Sequence, residues 1–203
     1  YNFNAGVEWN HFLTNQLAIK AIATATEYAF DIDYNLRPES AFNYGFEIED
    51  RFGQLSLNYY PNDQHEIQVG GDVRMYDLNP GSFNRSGTES LVEEEEIADE
   101  RGRETSVFIS DNYNLNQNIT LYAGLRYSIY TALGGRDVNF YREGVPRSES
   151  TIETTTAFGE DDNIATYHGP ELRLSARYTL DASSSIKAAY NRTRQYIHAL
   201  SNN

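Results

Sequence analysis

The sequence predicts an all-β fold, a transmembrane antiparallel β-barrel, and three observations carry the prediction. Apolar and polar residues alternate over long stretches. Very short turns and much longer polar stretches take turns along the chain. No run approaches the roughly 20 apolar residues that a transmembrane helix requires. Tight turns on one rim and long loops on the other are the plan of an outer-membrane barrel. A soluble sandwich has no reason to sort its connections by end.

Eight strands are expected, at about 1–13, 17–34, 46–60, 65–78, 104–114, 119–131, 169–180 and 185–197. In the sixth, Ile119, Leu121, Ala123, Leu125, Tyr127 and Ile129 alternate with Thr120, Tyr122, Gly124, Arg126, Ser128 and Tyr130. In the seventh, Leu172, Leu174, Ala176, Tyr178 and Leu180 alternate with Glu171, Arg173, Ser175 and Arg177. The fourth sets Ile67, Val69, Val73 and Met75 against Glu66, Gln68, Asp72 and Arg74. A period of 2 places each set on its own face.

The remaining strands are less regular. Phe3, Ala5, Val7 and Trp9 alternate with polar neighbours or glycine. Leu17 to Ala25 keep one phase, but Phe30, Ile32 and Tyr34 fall in the other, and Phe46 and Ile48 are likewise out of phase with Leu55, Leu57 and Tyr59. A bulge, or a change of surroundings above the membrane, accounts for such a switch. Val107, Ile109 and Tyr113 alternate but are interrupted by Asp111. Several strands exceed the roughly 9–11 residues needed to cross a bilayer and should project beyond it.

The short turns fall at Thr14–Gln16, Pro61–Gln64, Leu115–Asn118 and Asp181–Ser184; the long stretches are 35–47, 79–103 and 132–168. Each of the last two holds seven acids against three arginines. Loops this acidic and this rich in small polar residues are expected to be solvated or partly disordered.

Composition narrows function. A net charge of −14 argues against nucleic acid as a partner. The absence of cysteine excludes disulfides, thiolate metal sites and cysteine nucleophiles. Mean hydropathy is −0.63, yet a barrel strand needs only every second residue apolar. On the polar face, Glu66, Asp72, Arg74, Arg126, Arg173, Arg177 and Lys187 must meet a polar lumen or another protein element, since a basic residue facing lipid at mid-depth costs about 2–4 kcal/mol. Trp9, Tyr59, Tyr113 and Tyr178, near the short turns, suit an interfacial aromatic girdle.

No constellation signals chemistry, and no catalytic, cofactor-binding or metal residue is assigned. His11, His65, His168 and His198 lack metal-ligand spacing, and His11 and His65 read as interfacial. Ser175 or Ser185 with His198 has no hydrolase motif around it. Glu93–Glu96 and Glu160–Asp162 lack the spaced ligands of a calcium loop and read as solvated charge. Tyr141 and Arg142 could touch a ligand, but nothing sets them apart from other loop residues.

Chain direction adds an expectation. The first strand runs into a short turn and the eighth leaves one, so both ends would be extracellular, and the chain closes on Leu200–Asn203 without a terminal aromatic. Eight open strands would leave two unpaired edges in lipid, which is not tolerated. Residues 1–203 are therefore expected to be one internal part of a longer barrel.

The stretch Gly169–Tyr178, the segment Ser185–Asn202 (sharpest from Arg192) and Leu57–Ile67 followed by Asn79-Pro80-Gly81 resemble the barrel of TonB-dependent receptors of the Bacteroidota type. The resemblance implies a 22-stranded outer-membrane barrel with a plug domain in its lumen, importing a scarce, bulky nutrient with energy passed on by TonB. It implies as partners the outer-membrane lipid, the plug, TonB and a possible surface lipoprotein, with no cofactor and no enzymatic activity. Plug and TonB box would lie upstream, and no substrate residue is carried over. The alternatives are a self-contained small barrel serving as adhesin or structural protein, a barrel hydrolase, and a receptor-like subunit of a secretion or assembly complex.

Overall fold

A computed structural model describes residues 1–197. His198 and the segment Leu200–Asn203 lie outside the described residues. The strands are β1 (Asn2–Thr14), β2 (Leu17–Tyr34), β3 (Phe42–Asn62), β4 (His65–Arg85), β5 (Glu95–Glu96), β6 (Glu100–Asn114), β7 (Ile119–Leu133), β8 (Arg136–Tyr141), β9 (Ile152–Phe158), β10 (Asn163–Thr179) and β11 (Ser185–Arg192). Eight of them form one antiparallel wall in the order β1-β2-β3-β4-β6-β7-β10-β11. β5 pairs the upper part of β4, and β8 and β9 form a separate hairpin. Single-turn 3-10 helices occupy Pro38–Ser40 and Glu149–Thr151.

All four short turns are closed by the same device. A side-chain oxygen at the turn's start accepts the backbone N–H two residues on: Thr14 from Gln16 at 3.1 Å, Asn62 from Gln64 at 2.9 Å, Asn116 from Asn118 at 2.9 Å and Asp181 from Ser183 at 2.8 Å. Such side chains substitute for the missing turn hydrogen bond and fix the register that follows. Neighbouring turns are also joined, as Tyr60 donates its N–H to the Gln16 carbonyl and Asn114 its own to that of Gln64.

The register aligns like with like. One row reads Ile19, Leu57, Val69, Ile109, Leu125, Leu172 across six strands, and the next reads Ala21, Leu55, Gly71, Val107, Tyr127, Pro170. On the opposite face the rows read Lys20, Ser56, Gly70, Phe108, Arg126, Glu171 and Ile22, Gln54, Asp72, Ser106, Ser128, Gly169. Burial is inverted relative to a water-soluble sheet. Val107 is 64% and Leu55 58% exposed, whereas Ser56, Ser106, Ser128, Asp72 and Glu171 are all buried. Large apolar side chains left outside, with the polar ones packed inside, is the arrangement a lipid solvent demands. No helix among the described residues is long and apolar enough to cross a membrane.

The structure corrects several expectations. β3 begins at Phe42 and β4 runs to Arg85, so each spans 21 residues. The ladder continues through Asn79-Pro80-Gly81 because a register shift opposite Gly45–Glu47 absorbs the break. Gly81 has a φ of 110°, and a Cβ there would meet the Tyr44 ring at 2.7 Å, so glycine is required. β6 starts at Glu100 and β10 at Asn163, both earlier than expected, while β11 ends at Arg192, ahead of the expected 197. The segments 79–103 and 132–168 are not structureless. Between β4 and β6, Ser90 is buried and donates its hydroxyl to the Ala41 carbonyl at 2.7 Å, and the Leu91 N–H reaches Glu39, docking this loop on the one before it. The longest connection holds the β8–β9 hairpin.

The phase switch in β2 has no bulge at its root, since its pairing with β3 is continuous from Leu17 to Tyr34. What changes is the surroundings. Above the row Ala25, Arg51, Met75, Arg103, the outer face turns charged (Glu27, Glu49, Asp77, Arg101) and the inner one aromatic (Tyr28, Phe30, Phe46).

Candidate functional site

The inner face of the wall is the candidate working surface, and it is layered. At its centre Arg126 Nη2 donates to Asp72 Oδ1 at 3.0 Å and to Glu104 Oε1 at 2.9 Å. Ser106 Oγ donates to the second Asp72 oxygen at 2.7 Å, and Ser128 Oγ to Glu171 Oε1 at 2.9 Å. The side chain of Asp72 is 1% exposed, so its charge is affordable only because both oxygens are met. The Arg126 network ties β4, β6 and β7 together, and the Ser128–Glu171 bond ties β7 to β10.

Above it lies an aromatic layer. The Arg74 guanidinium sits 4.8 Å from the centre of the Phe52 ring and 6.0 Å from that of Tyr76, and pairs Asp50 at 3.5 Å. Tyr130 stacks on Tyr196 at 5.4 Å, and the Tyr196 hydroxyl meets Ser128 Oγ at 2.9 Å. Higher still, Phe42 stacks on Phe83 at 4.4 Å and on Tyr34 at 5.4 Å, while the Tyr44 hydroxyl donates to the Pro80 carbonyl. The long-loop rim thus presents π-faces inward and carboxylates around them. Such a surface can hold a bulky solute by stacking and by hydrogen bonds.

The residues singled out in the sequence are dispersed. His11 stacks on Trp9 at 5.5 Å, on the outer face. His65 Nδ1 lies 2.7 Å from Asp111 Oδ2 and its ring stacks on Tyr113 at 4.2 Å, which explains how an acid interrupts an apolar row. Tyr113 is half-buried in that stack, whereas Tyr59, Tyr178 and Trp9 are exposed on the apolar face as a girdle requires. His168 Nδ1 lies 2.5 Å from the Tyr127 hydroxyl. Among the described residues no three His, Cys, Asp or Glu side chains are grouped as metal ligands would be. Ser175 lies opposite Ala189 and Ser185 opposite Thr179. Asp162 caps a turn, accepting the Gly159 N–H at 2.7 Å. Arg147 packs 5.6 Å over the Tyr141 ring, and Arg142 donates its N–H to the Thr151 carbonyl. From the sequence, Asp72, Arg74, Arg126, Ser128 and Glu171 fall on polar strand faces, whereas Glu104 and Ser106 carry no signal of their own, and only the cross-strand register brings the group together.

No protein-family model matches the chain, and no curated protein matches its sequence. Solved structures do match. The open form of the ferric-catecholate import receptor Fiu from E. coli K12 superposes over 96% of this chain and 36% of its own, with a TM-score of 0.55 at 13% identity. The copper transporter OprC superposes over 96% of this chain and 31% of its own, with a TM-score of 0.66 at 12% identity. The closed form of Fiu gives 94%, 32%, 0.50 and 11% for the same quantities. At such identity the likeness is one of fold. The chain has the antiparallel β-barrel-wall fold of these structures and spans about a third of their length.

Proposed function

We propose that the chain is part of the wall of a TonB-dependent receptor of the bacterial outer membrane, importing a scarce nutrient through a plugged barrel. The observation that carries this is the inverted packing. Apolar rows face outward, and a braced, charged and aromatic surface faces a lumen, in a wall that superposes on a ferric-catecholate import receptor and a copper transporter. β1 and β11 do not pair with each other among the described residues, so further strands would complete the barrel. A total of 22 strands, the plug, TonB and the Bacteroidota type follow from the sequence resemblance. The outer face would meet lipid, the inner face the plug, and the aromatic rim the incoming solute. The role is transport, without covalent chemistry on this segment.

The test is genetic. A strain lacking the whole gene is grown on iron chelates, copper salts, glycans, peptides or cobalamin, each supplied as the limiting nutrient. Loss of growth on one of them, reproduced by loss of TonB, is the expected result. Unchanged growth on all, or a defect that loss of TonB does not reproduce, refutes the reading.

A further inference from the structure

Two arginines stand on the outer face at the level where a bilayer would end. Arg51 on β3, Met75 on β4 and Arg103 on β6 are direct partners in one row. Roughly 9–11 residues of a tilted strand cross a bilayer. The stretches from Pro61 back to Arg51 and from Asn114 back to Arg103 use up that length. A guanidinium at this level reaches the headgroups of the leaflet on the long-loop side, with its alkyl stem along the apolar band. The two arginines are two strand spacings apart, about 10 Å, so both can converge on one anion above Met75.

Arg51 pairs Glu49 and keeps its other donors exposed. Arg103 is exposed and pairs no carboxylate among the described residues. Both strands beside β6 are described, and opposite Arg103 they set Met75 and Thr131. The acids on this face, Glu27, Glu49 and Asp77, form the next row away from the short turns, and Asp77 is taken by Arg101 at 3.0 Å. Towards the bilayer the surface dips instead. Gly53 follows Arg51 on the same face; its φ is not left-handed, and a Cβ there would meet nothing closer than Val73 at 3.8 Å, so the wall itself does not require glycine. In the row beyond, Gly71 lies between Leu55 and Val107, which stand exposed on either side. An alkyl chain hanging from an anion at the arginines would lie in this dip.

We infer that Arg51 and Arg103 clamp the phosphate of an anionic membrane lipid above Met75, with an acyl chain lying over Gly53 and Gly71. The planar, fully charged guanidinium forks select the phosphate. The apolar rows beside the glycines select the chain. A free phosphate would meet the arginines alone, so the dip is what makes this a lipid site. The inference rests on the proposed function only in taking the outer face as lipid-facing, and it does not depend on import.

The full-length protein, purified in a neutral detergent, is mixed with diphosphorylated lipid A or with phosphatidylcholine, and native mass spectrometry counts the lipid each variant retains. Wild type is expected to hold lipid A in preference to phosphatidylcholine. Arg51→Gln/Arg103→Gln should hold it about tenfold less. Gly53→Leu, which fills the dip and leaves the charge, should weaken it too. Arg173→Gln, the same change of charge on the inner face, should match wild type. Should the double variant fail to fold, Arg103→Gln alone decides, since it breaks no ion pair of the wall. Equal retention by Arg103→Gln and wild type overturns the inference, as does phosphatidylcholine held as well as lipid A. Inorganic phosphate that displaces lipid A at equal concentration, or indifference to Gly53→Leu, would make this an ion site and overturn the lipid. A protein that retains neither lipid refutes the membrane reading as well, whereas a negative growth test leaves arginine-dependent retention standing, so the two readings fail separately.

Discussion

The two faces of this sheet are built from the same strands and obey opposite rules. On the outer face, Leu55, Val107, Leu125 and Ile186 stand exposed in continuous apolar rows and make no directional bonds. On the inner face, Asp72, Arg126, Glu104, Ser106, Ser128 and Glu171 are placed by individual hydrogen bonds. The outer face can exchange one apolar side chain for another, because the proposed lipid solvent would conform to any of them. The inner face tolerates few exchanges at its centre, because both Asp72 oxygens, Arg126 Nη2 and the Ser106 and Ser128 hydroxyls each have a named partner. Specificity of structure therefore resides on the inner side, and the outer side supplies only compatibility with the solvent.

The comparison is tested hardest by placing a charge on the wrong side. Leu125→Arg in the middle of an apolar row should destabilise the barrel by about 2–4 kcal/mol, while Ser110→Arg on the inner face should change it by no more than about 1 kcal/mol. Urea titration of the barrel in lipid vesicles, followed through Trp9, measures both. Equal effects would end the distinction between the faces. Asp72→Ala comes next. It leaves Ser106 without its acceptor and Arg126 with Glu104 alone, at a cost of about 1–3 kcal/mol in the same titration. Asn116→Ala removes the acceptor of two backbone N–H groups, from Asn118 and Ile119, and should cost about 1 kcal/mol.

The smallest effect is a pH response confined to one turn. The Ser183 N–H holds the Asp181 carboxyl below its usual pKa. Because the folded value is depressed, the stabilisation is present above the unfolded aspartate pKa, about 3.9, and is lost as pH falls through the folded one. The Ser183 amide shift, followed by NMR on acidification, should move with the carboxyl. In Asp181→Asn it should stay flat, like the turns capped by Thr14, Asn62 and Asn116.

The wall was legible in the sequence because period 2 is a local signal. Ile119 to Ile129 needs no partner to declare its faces, and the strand from Leu17 to Tyr34 was placed at both ends. What failed was non-local. Asn79-Pro80-Gly81 reads as a break until the shift opposite Gly45 accommodates it. The hairpin strands are only six and seven residues long, and Val138 and Phe140 alone alternate with polar neighbours in the first, too short a run to stand out inside a long acidic stretch. Glu104 and Glu171 look like ordinary strand acids until register sets the first beside Arg126 and the second beside Ser128. The switch to inward-facing aromatics in β2 was visible as a phase change, and its cause became clear only with the charged outer rim beside it.

Alternation has a consequence for how such a chain reaches its destination. A secretory channel releases into the first membrane any segment of roughly 20 residues whose summed transfer energy is favourable. In β10 every leucine is followed or preceded by an arginine, glutamate or serine, so the window never becomes favourable as a helix. Folded as a sheet, the same residues sort onto two faces and prefer lipid. In the proposed outer-membrane wall, the pattern that makes the sheet would thus also let the unfolded chain pass through one membrane without stopping and settle in another.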